Sequence, residues 1–298
     1  MRKLNMPRRL SSSAARTHGG NMLFMLPTII LFCIVVLIPF FQGIPYSFTN
    51  WKSIVSETKE FNGLKNYIYL IKNKYFQDSL LVTFKFTILY MISANVMGLL
   101  LALAIHRSSW FNNIARTVLF LPFTVSATAG SIVWSYVFTD VYGTITGLVS
   151  PLGMPGQIIY GMVVIGAWRD MGYTMLIYIA ALQAVPQDYY EAATVDGANR
   201  LQRMWHVTLP GILPVVSLML LLRVGSILAA GTEQILAMYN PAVYDVADVL
   251  QTYIYRVGLG KMDFSTGTAM GLFESIIGFA LTVGCNGLSK KFFGRSLW

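Results

Sequence analysis

The chain has 298 residues, 55% hydrophobic and 12% charged, with a mean hydropathy of +0.58 and a formal net charge of +9. A soluble globular domain carries about 25% charged residues, so the composition argues against a soluble domain and for an integral membrane protein. Cys33 and Cys285 lie far apart inside apolar runs, a placement that suits small buried hydrophobes and points to neither a disulfide framework nor a metal cluster.

In chain order, residues 1–21 form a leader that carries Arg2, Lys3, Arg8, Arg9 and Arg16. A bilayer core needs about 20 predominantly apolar residues per helix, and six segments meet that requirement: 22–41, 81–105, 117–138, 158–184, 212–238 and 268–288. The first has Pro39 and Pro45 near its end and no small-residue cleavage motif, so it reads as a retained span rather than a secretory signal. The expected fold class is all-α, a polytopic membrane protein with six transmembrane helices over 22–288 and a short tail at 289–298. Low-complexity segments, soluble linkers and internal repeats are not apparent.

Between the fourth and fifth segments, residues 186–210 form the longest polar interruption in the second half of the chain. Asp188 is expected to cap a helix, with Glu191 reaching back to it. Ala192, Ala193, Gly197 and Ala198 would leave one side of that helix bare, open to close approach by another surface. Gly197 suits a left-handed C-terminal position, and Asn199 can cap a second helix that runs into Thr208, Leu209 and Pro210. An ordinary turn between two helices would have much the same local pattern.

Basic residues set the expected orientation. With the N-terminus in the cytoplasm, the cytoplasmic segments hold 12 Lys or Arg and three acids, whereas the outer loops hold seven of each. The whole excess charge then lies on one side, which accounts for the basic composition without a nucleic-acid partner. Charges within spans are costly and face a cavity, a partner helix or a solute path. Arg169 and Asp170 lie in the fourth span, Arg223, Glu233 and Gln234 in the fifth, and Glu274 in the sixth. Neighbouring residues point about 100° apart on a helix, so Arg169 and Asp170 are each expected to need a partner of their own. Pairing between helices and the lining of a path for a hydrophilic solute both fit these residues. Trp168, Tyr173, Tyr178 and Tyr239 suit sugar stacking and an interfacial aromatic belt equally.

A Gly-x-x-x-x-Gly-Lys-Ser/Thr phosphate loop is missing: Gly260-Lys261 is followed by Met262. Nucleophile–base and metal-ligand constellations are missing as well, so an enzyme is not expected. A secondary transporter would call for internal inverted repeats.

Glu191-Ala192-Ala193, three residues, Gly197, nine residues and then Val207-x-Leu209-Pro210 match the EAA loop of binding-protein-dependent ABC importer permeases, with Val207 where isoleucine is usual. Trp168–Pro186 resembles the span that leads into this loop in the carbohydrate, maltose-transporter-type branch. Pro45–Thr49 and Asn62–Tyr67 resemble that branch's first outer loop. Residues 233–258 and Gly294–Trp298 are similar to permeases for oligosaccharides and complex-glycan fragments. The resemblance implies a type I ABC importer transmembrane domain in the bacterial cytoplasmic membrane, with both termini cytoplasmic. It also implies a second homologous permease, two ATPase subunits or domains, an extracytoplasmic solute-binding protein, a carbohydrate substrate and surrounding membrane lipid. No cofactor and no covalent chemistry in this chain are implied. By the same resemblance Glu191, Ala192, Ala193, Asp196, Gly197, Leu209 and Pro210 couple to the ATPase, with Glu191 in polar contact and Gly197 at the bend. Asp170 and Tyr173 match substrate contacts before the loop, and Glu233 and Gln234 those after it; Arg169 and Arg223 are grouped with this pathway.

Overall fold

The computed structural model describes residues 25–52, 59–224, 227–229, 231–238 and 243–293. The expected leader 1–21, Tyr239 and Gly294–Trp298 lie outside the described residues. The longer elements are α1 (Met25–Tyr46), α2 (Lys65–Lys72), α3 (Lys74–Ile105), α4 (Trp110–Thr124), α5 (Ala127–Thr146), α6 (Ile158–Gln183), α7 (Gln187–Val195) and α8 (Arg200–Val224). They are followed by α9 (Thr232–Met238), α10 (Tyr244–Ala247), α11 (Leu250–Tyr255) and α12 (Phe264–Phe293). Among the described residues, extended pairing is limited to one isolated bridge between Thr49 and Phe61.

Four helices, α1, α3, α8 and α12, are long and apolar enough to cross a membrane, and α4 with α5 makes a fifth if that bent pair is one span. α6 has the length, 26 residues, but Arg169 and Asp170 interrupt its apolar run. Two expected spans are broken. The 117–138 segment bends by 97° between α4 and α5. Pro122 lies in the last turn of α4, Val125 is extended, and Ser126 starts α5 by accepting a hydrogen bond from the Ala129 N–H at 3.1 Å. The 212–238 segment ends its first helix at Val224, and α9 is a separate helix. Gly231 precedes α9 with φ +74°, and a Cβ there would lie 2.4 Å from Phe86 Cε1. That combination of left-handed backbone and close approach admits glycine alone. α12 continues to Phe293, so residues 289–293 of the expected tail are helical.

α6 is the central helix. Its buried side chains run from Ile158 to Leu182, with α3 along one side and α4 across another. α3, at about 1.5 Å per residue, spans the height of the bundle and meets three successive apolar clusters. Phe76 packs with Leu250, Tyr253 and Met270; Phe86 and Ala94 pack with Met162 and Ile235; Ala102 packs with Met175, Tyr178 and Ile212. Where α4 crosses α6, a Cβ on Gly172 would lie 2.0 Å from the carbonyl oxygen of Leu119, so the two backbones touch. α1 is the opposite case. None of its apolar window is buried within the chain, and Met25, Leu31, Val35 and Phe41 are each at least 60% exposed.

The far end of α1 is fastened by a polar clasp assembled from two segments distant in sequence. Asn66 donates to the carbonyls of Ser47 at 2.7 Å and Thr49 at 2.9 Å. Ser265, at the start of α12, bonds Thr49 Oγ1 at 2.8 Å and accepts from the Trp51 N–H at 2.7 Å. Trp51 packs on Phe264, and the Lys59 ammonium lies 4.1 Å from the centre of the Trp51 ring.

Candidate functional site

At the opposite end of the bundle, Pro186 directly precedes α7. Its ψ of 135° places it outside the helix, which begins at Gln187. Asp188 therefore lies in the first turn, no side chain caps the helix, and the expected box between Asp188 and Glu191 does not form. An acid in the first turn still meets the positive end of the helix dipole. The C-terminal end follows the sequence closely. Gly197 has φ +78°, its N–H donates to Thr194 O at 3.1 Å, and the Ala198 N–H donates to Ala193 O at 2.9 Å. These are the two bonds of a Schellman closure.

Asn199 then caps α8 reciprocally. Its Oδ1 accepts from the Gln202 N–H at 2.9 Å, and its own N–H donates to Gln202 Oε1 at 2.8 Å. Two further bonds brace α7 against α8: the Tyr190 hydroxyl to Thr208 Oγ1 at 3.1 Å, and Arg203 Nη1 to Thr194 Oγ1 at 2.9 Å. Met204–Thr208 is a π turn that ends two residues before Pro210, where the missing proline N–H breaks the regular ladder. Glu191, Ala192, Asp196, Gly197 and Pro210 are exposed, while Ala193 and Leu209 are half-buried. α7 is thus a short lever, closed at its far end and joined to α6 on one side and α8 on the other.

Midway along α6, Asp170 is 4% exposed and is held from three directions. Its Oδ2 receives Arg223 Nη2 at 2.8 Å and the Tyr90 hydroxyl, and its Oδ1 receives Arg169 Nε at 3.0 Å. Arg223 Nη1 also donates to the Tyr90 hydroxyl oxygen at 2.8 Å, and the Phe86 ring stacks on Tyr90. One carboxylate thereby ties α3, α6 and α8. The adjacent pair Arg169–Asp170 does interact: the long arginine stem swings back across the angle between their Cβ directions and closes the bond that separate helix faces seemed to forbid.

The remaining candidates divide around this centre. A cavity of about 500 Å³ is lined by Arg169, Glu233 and Gln234 together with Tyr90, Thr232 and Gln251. Glu233 is exposed, whereas Gln234 is buried and donates to the Met162 carbonyl at 2.7 Å. Asp170 and Arg223 do not line the cavity, and Tyr173 stacks on Phe123 of α4 with ring centres 4.6 Å apart. Tyr90 and Gln251 escaped the sequence reading. Tyr90 is one aromatic in a long apolar helix, with nothing local to signal its partner 80 residues away. Gln251 belongs to an outer segment read as loop; its Nε2 holds both carboxylate oxygens of Glu274, at 2.7 and 2.9 Å.

Helices apolar toward the outside, a charged centre buried between them, an open polar cavity beside it and a braced polar lever at one end define a membrane transport subunit rather than an enzyme. Residues 94–291 match the family described as binding-protein-dependent transport system inner membrane component, and the chain belongs to that family. It is 31% identical over 261 residues to the probable starch degradation products transport system permease protein AmyD of Thermoanaerobacterium thermosulfurigenes, a match covering 86% of this chain and 88% of that one. It is 32% identical over 287 residues to the polygalacturonan/rhamnogalacturonan transport system permease protein YteP of Bacillus subtilis, covering 91% and 87%. Among solved structures, it superimposes on a chain of a bacterial ABC transporter involved in the import of the acidic polysaccharide alginate. The TM-score is 0.82 at 26% identity, covering 94% of this chain and 98% of that chain.

Proposed function

We propose that this chain is one of two permease subunits of an ATP-driven importer that carries a sugar or oligosaccharide into a bacterial cell. The observation that carries the reading is the continuous path from α7 to the charged centre. α7 is braced on α8 by Tyr190–Thr208 and Arg203–Thr194. α8 carries Arg223, which grips Asp170 of α6, the helix from which α7 springs. A push on the exposed Glu191–Ala192 face then turns α6 and α8 as one body, the kind of rigid-body displacement that alternates access to a central site. Glu191, Ala192, Ala193, Asp196, Gly197, Leu209 and Pro210 form the surface that receives the ATPase.

In this proposal Arg169, Glu233 and Gln234 meet the solute in the cavity, Tyr90 and Gln251 complete its polar wall, and Asp170 with Arg223 orients Arg169. Tyr173 lies toward α4 and joins the path where that helix moves. The carbohydrate assignment rests on the AmyD, YteP and alginate-importer relationships and on a wall that offers donors and acceptors of both charges to hydroxyl groups. In the proposed arrangement α1, α3, α4 with α5, α6, α8 and α12 are six crossings, with both termini and α7 on the cytoplasmic side; the excess of Lys and Arg in the segments so assigned supports that orientation.

The test combines co-purification with uptake. Extracted protein should bring an ATPase with it. Glu191→Lys should abolish sugar uptake while the purified subunit keeps its unfolding temperature, because Glu191 is exposed and makes no side-chain hydrogen bond or ion pair with any described residue. Normal uptake by that variant, or a protein that purifies without an ATPase, would overturn the reading.

A further inference from the structure

A second cavity, of about 570 Å³, opens at the α7 end of the bundle, between the ends of α3 and α6, α7 and the first turns of α8. Its size falls within the roughly 300–1,000 Å³ of small-ligand sites. His106, Arg107, Arg200 and Arg203 line it, and no Asp or Glu does. α7 contributes Gln187 and Tyr190, while its acids Asp188 and Glu191 are not in the wall. Leu103, Leu182 and Met204 make an apolar floor.

Three guanidinium groups around one recess repel one another unless an anion joins them. Arg203 is already fixed by Thr194 Oγ1 at 2.9 Å. The side chains of Arg107 and Arg200 are exposed and pair with no described residue. The planar guanidinium fork fits phosphate oxygens in pairs, better than any other cationic side chain.

We infer that this cavity is a phosphate-binding site occupied by the headgroup of an anionic phospholipid, with Arg107, Arg200 and Arg203 on the phosphate. The apolar floor and the position at the ends of two long helices favour a lipid over a soluble phosphate. Basic pockets between spans at the cytoplasmic surface take headgroups in this way. A lipid held here touches α3, α6, α7 and α8 together, so it would stiffen the lever described above.

The experiment uses the whole transporter, with its partner subunits, in phosphatidylcholine nanodiscs with and without phosphatidylglycerol. Bound phospholipid is read by native mass spectrometry and affinity by titration. Phosphatidylglycerol should be retained selectively, and Arg107→Gln with Arg200→Gln should weaken it about thirtyfold, or about fivefold for each charge removed. The double lysine variant, R107K with R200K, should keep the preference for the anionic lipid, which separates loss of charge from damage to the fold. A parallel arm titrates inorganic phosphate into the lipid-depleted complex. Stabilisation by phosphate without phosphatidylglycerol retention would assign the same site to a soluble phosphate and overturn the lipid source. Equal retention of both lipids, equal retention by wild type and the glutamine variant, or a glutamine variant whose sole change is loss of the ATPase would overturn the site itself.

Discussion

Asp170 and Arg223 invite a double-substitution cycle. Asp170 has a side chain 6% exposed and Arg223 one 19% exposed, and they meet at 2.8 Å. Asp170→Leu removes the carboxylate that Arg169 and Arg223 share; breaking a buried pair in this way costs about 3–5 kcal/mol. Arg223→Met should fall near the lower end, about 3 kcal/mol, because Arg169 and Tyr90 still contact the carboxylate. Replacing both together removes both charges, and an apolar pair of similar volume is often neutral. What remains is an unpartnered Tyr90 hydroxyl, at about 1–3 kcal/mol, together with the loss of the Arg169 contact, which Asp170→Leu alone already incurs and which therefore cancels from the comparison. The two losses should therefore fail to add by about 3 kcal/mol or more. Heat-unfolding midpoints of the purified subunit give the readout, at about 2–4 °C per kcal/mol for a chain of this class. Additive losses would refute the claim that these groups hold each other. A stable Asp170→Leu protein without uptake would instead put Asp170 on the solute path.

Other perturbations probe separate joints. Gly172→Ala should cost about 1–3 kcal/mol, at the upper end because the obstacle is the Leu119 backbone; engineered cysteines bridging α4 and α6 should then cross-link more slowly. Gly231→Ala combines about 1–2 kcal/mol of left-handed strain with a clash against Phe86, and should lower the melting temperature and uptake together. Asn199→Ala removes the cap of α8 and should cost about 1 kcal/mol. Its signature is local, with faster amide exchange at Gln202 and Arg203 and unchanged protection around Asp170.

The sequence disclosed the lever more fully than the centre, for a physical reason. Gly197, Asn199 and Gln202 interact with residues within five positions, so their chemistry is written in short spacing. Asp188 misled because Pro186 outranks it: once the proline fixes the entry backbone, the helix starts before an aspartate cap can act. The charged centre depends on contacts 80 and 133 residues apart along the chain, and no local pattern carries those. Hydropathy located the long helices but could not see the bend at Val125–Ser126, where apolar residues continue through a change of direction. The Pro45–Thr49 and Asn62–Tyr67 segments match one outer loop by resemblance, and the bonds from Asn66 to the Ser47 and Thr49 carbonyls join them in one clasp.

The polar middle of α6 also bears on how the protein is made. Arg or Asp at the centre of a span opposes membrane insertion by about 2.5–3.5 kcal/mol each, so α6, as a crossing in the proposed arrangement, would enter the bilayer poorly by itself. Tyr90 has already been synthesised when Asp170 emerges, but Arg223 follows about fifty residues later. At roughly 5–20 residues per second, that is an interval of about 3–10 s. During that interval α3 is the neighbour already made that can meet Asp170, through Tyr90, before α8 brings Arg223. The charged centre is therefore complete only after all three of its helices have been synthesised, with the arginine of α8 the last to arrive.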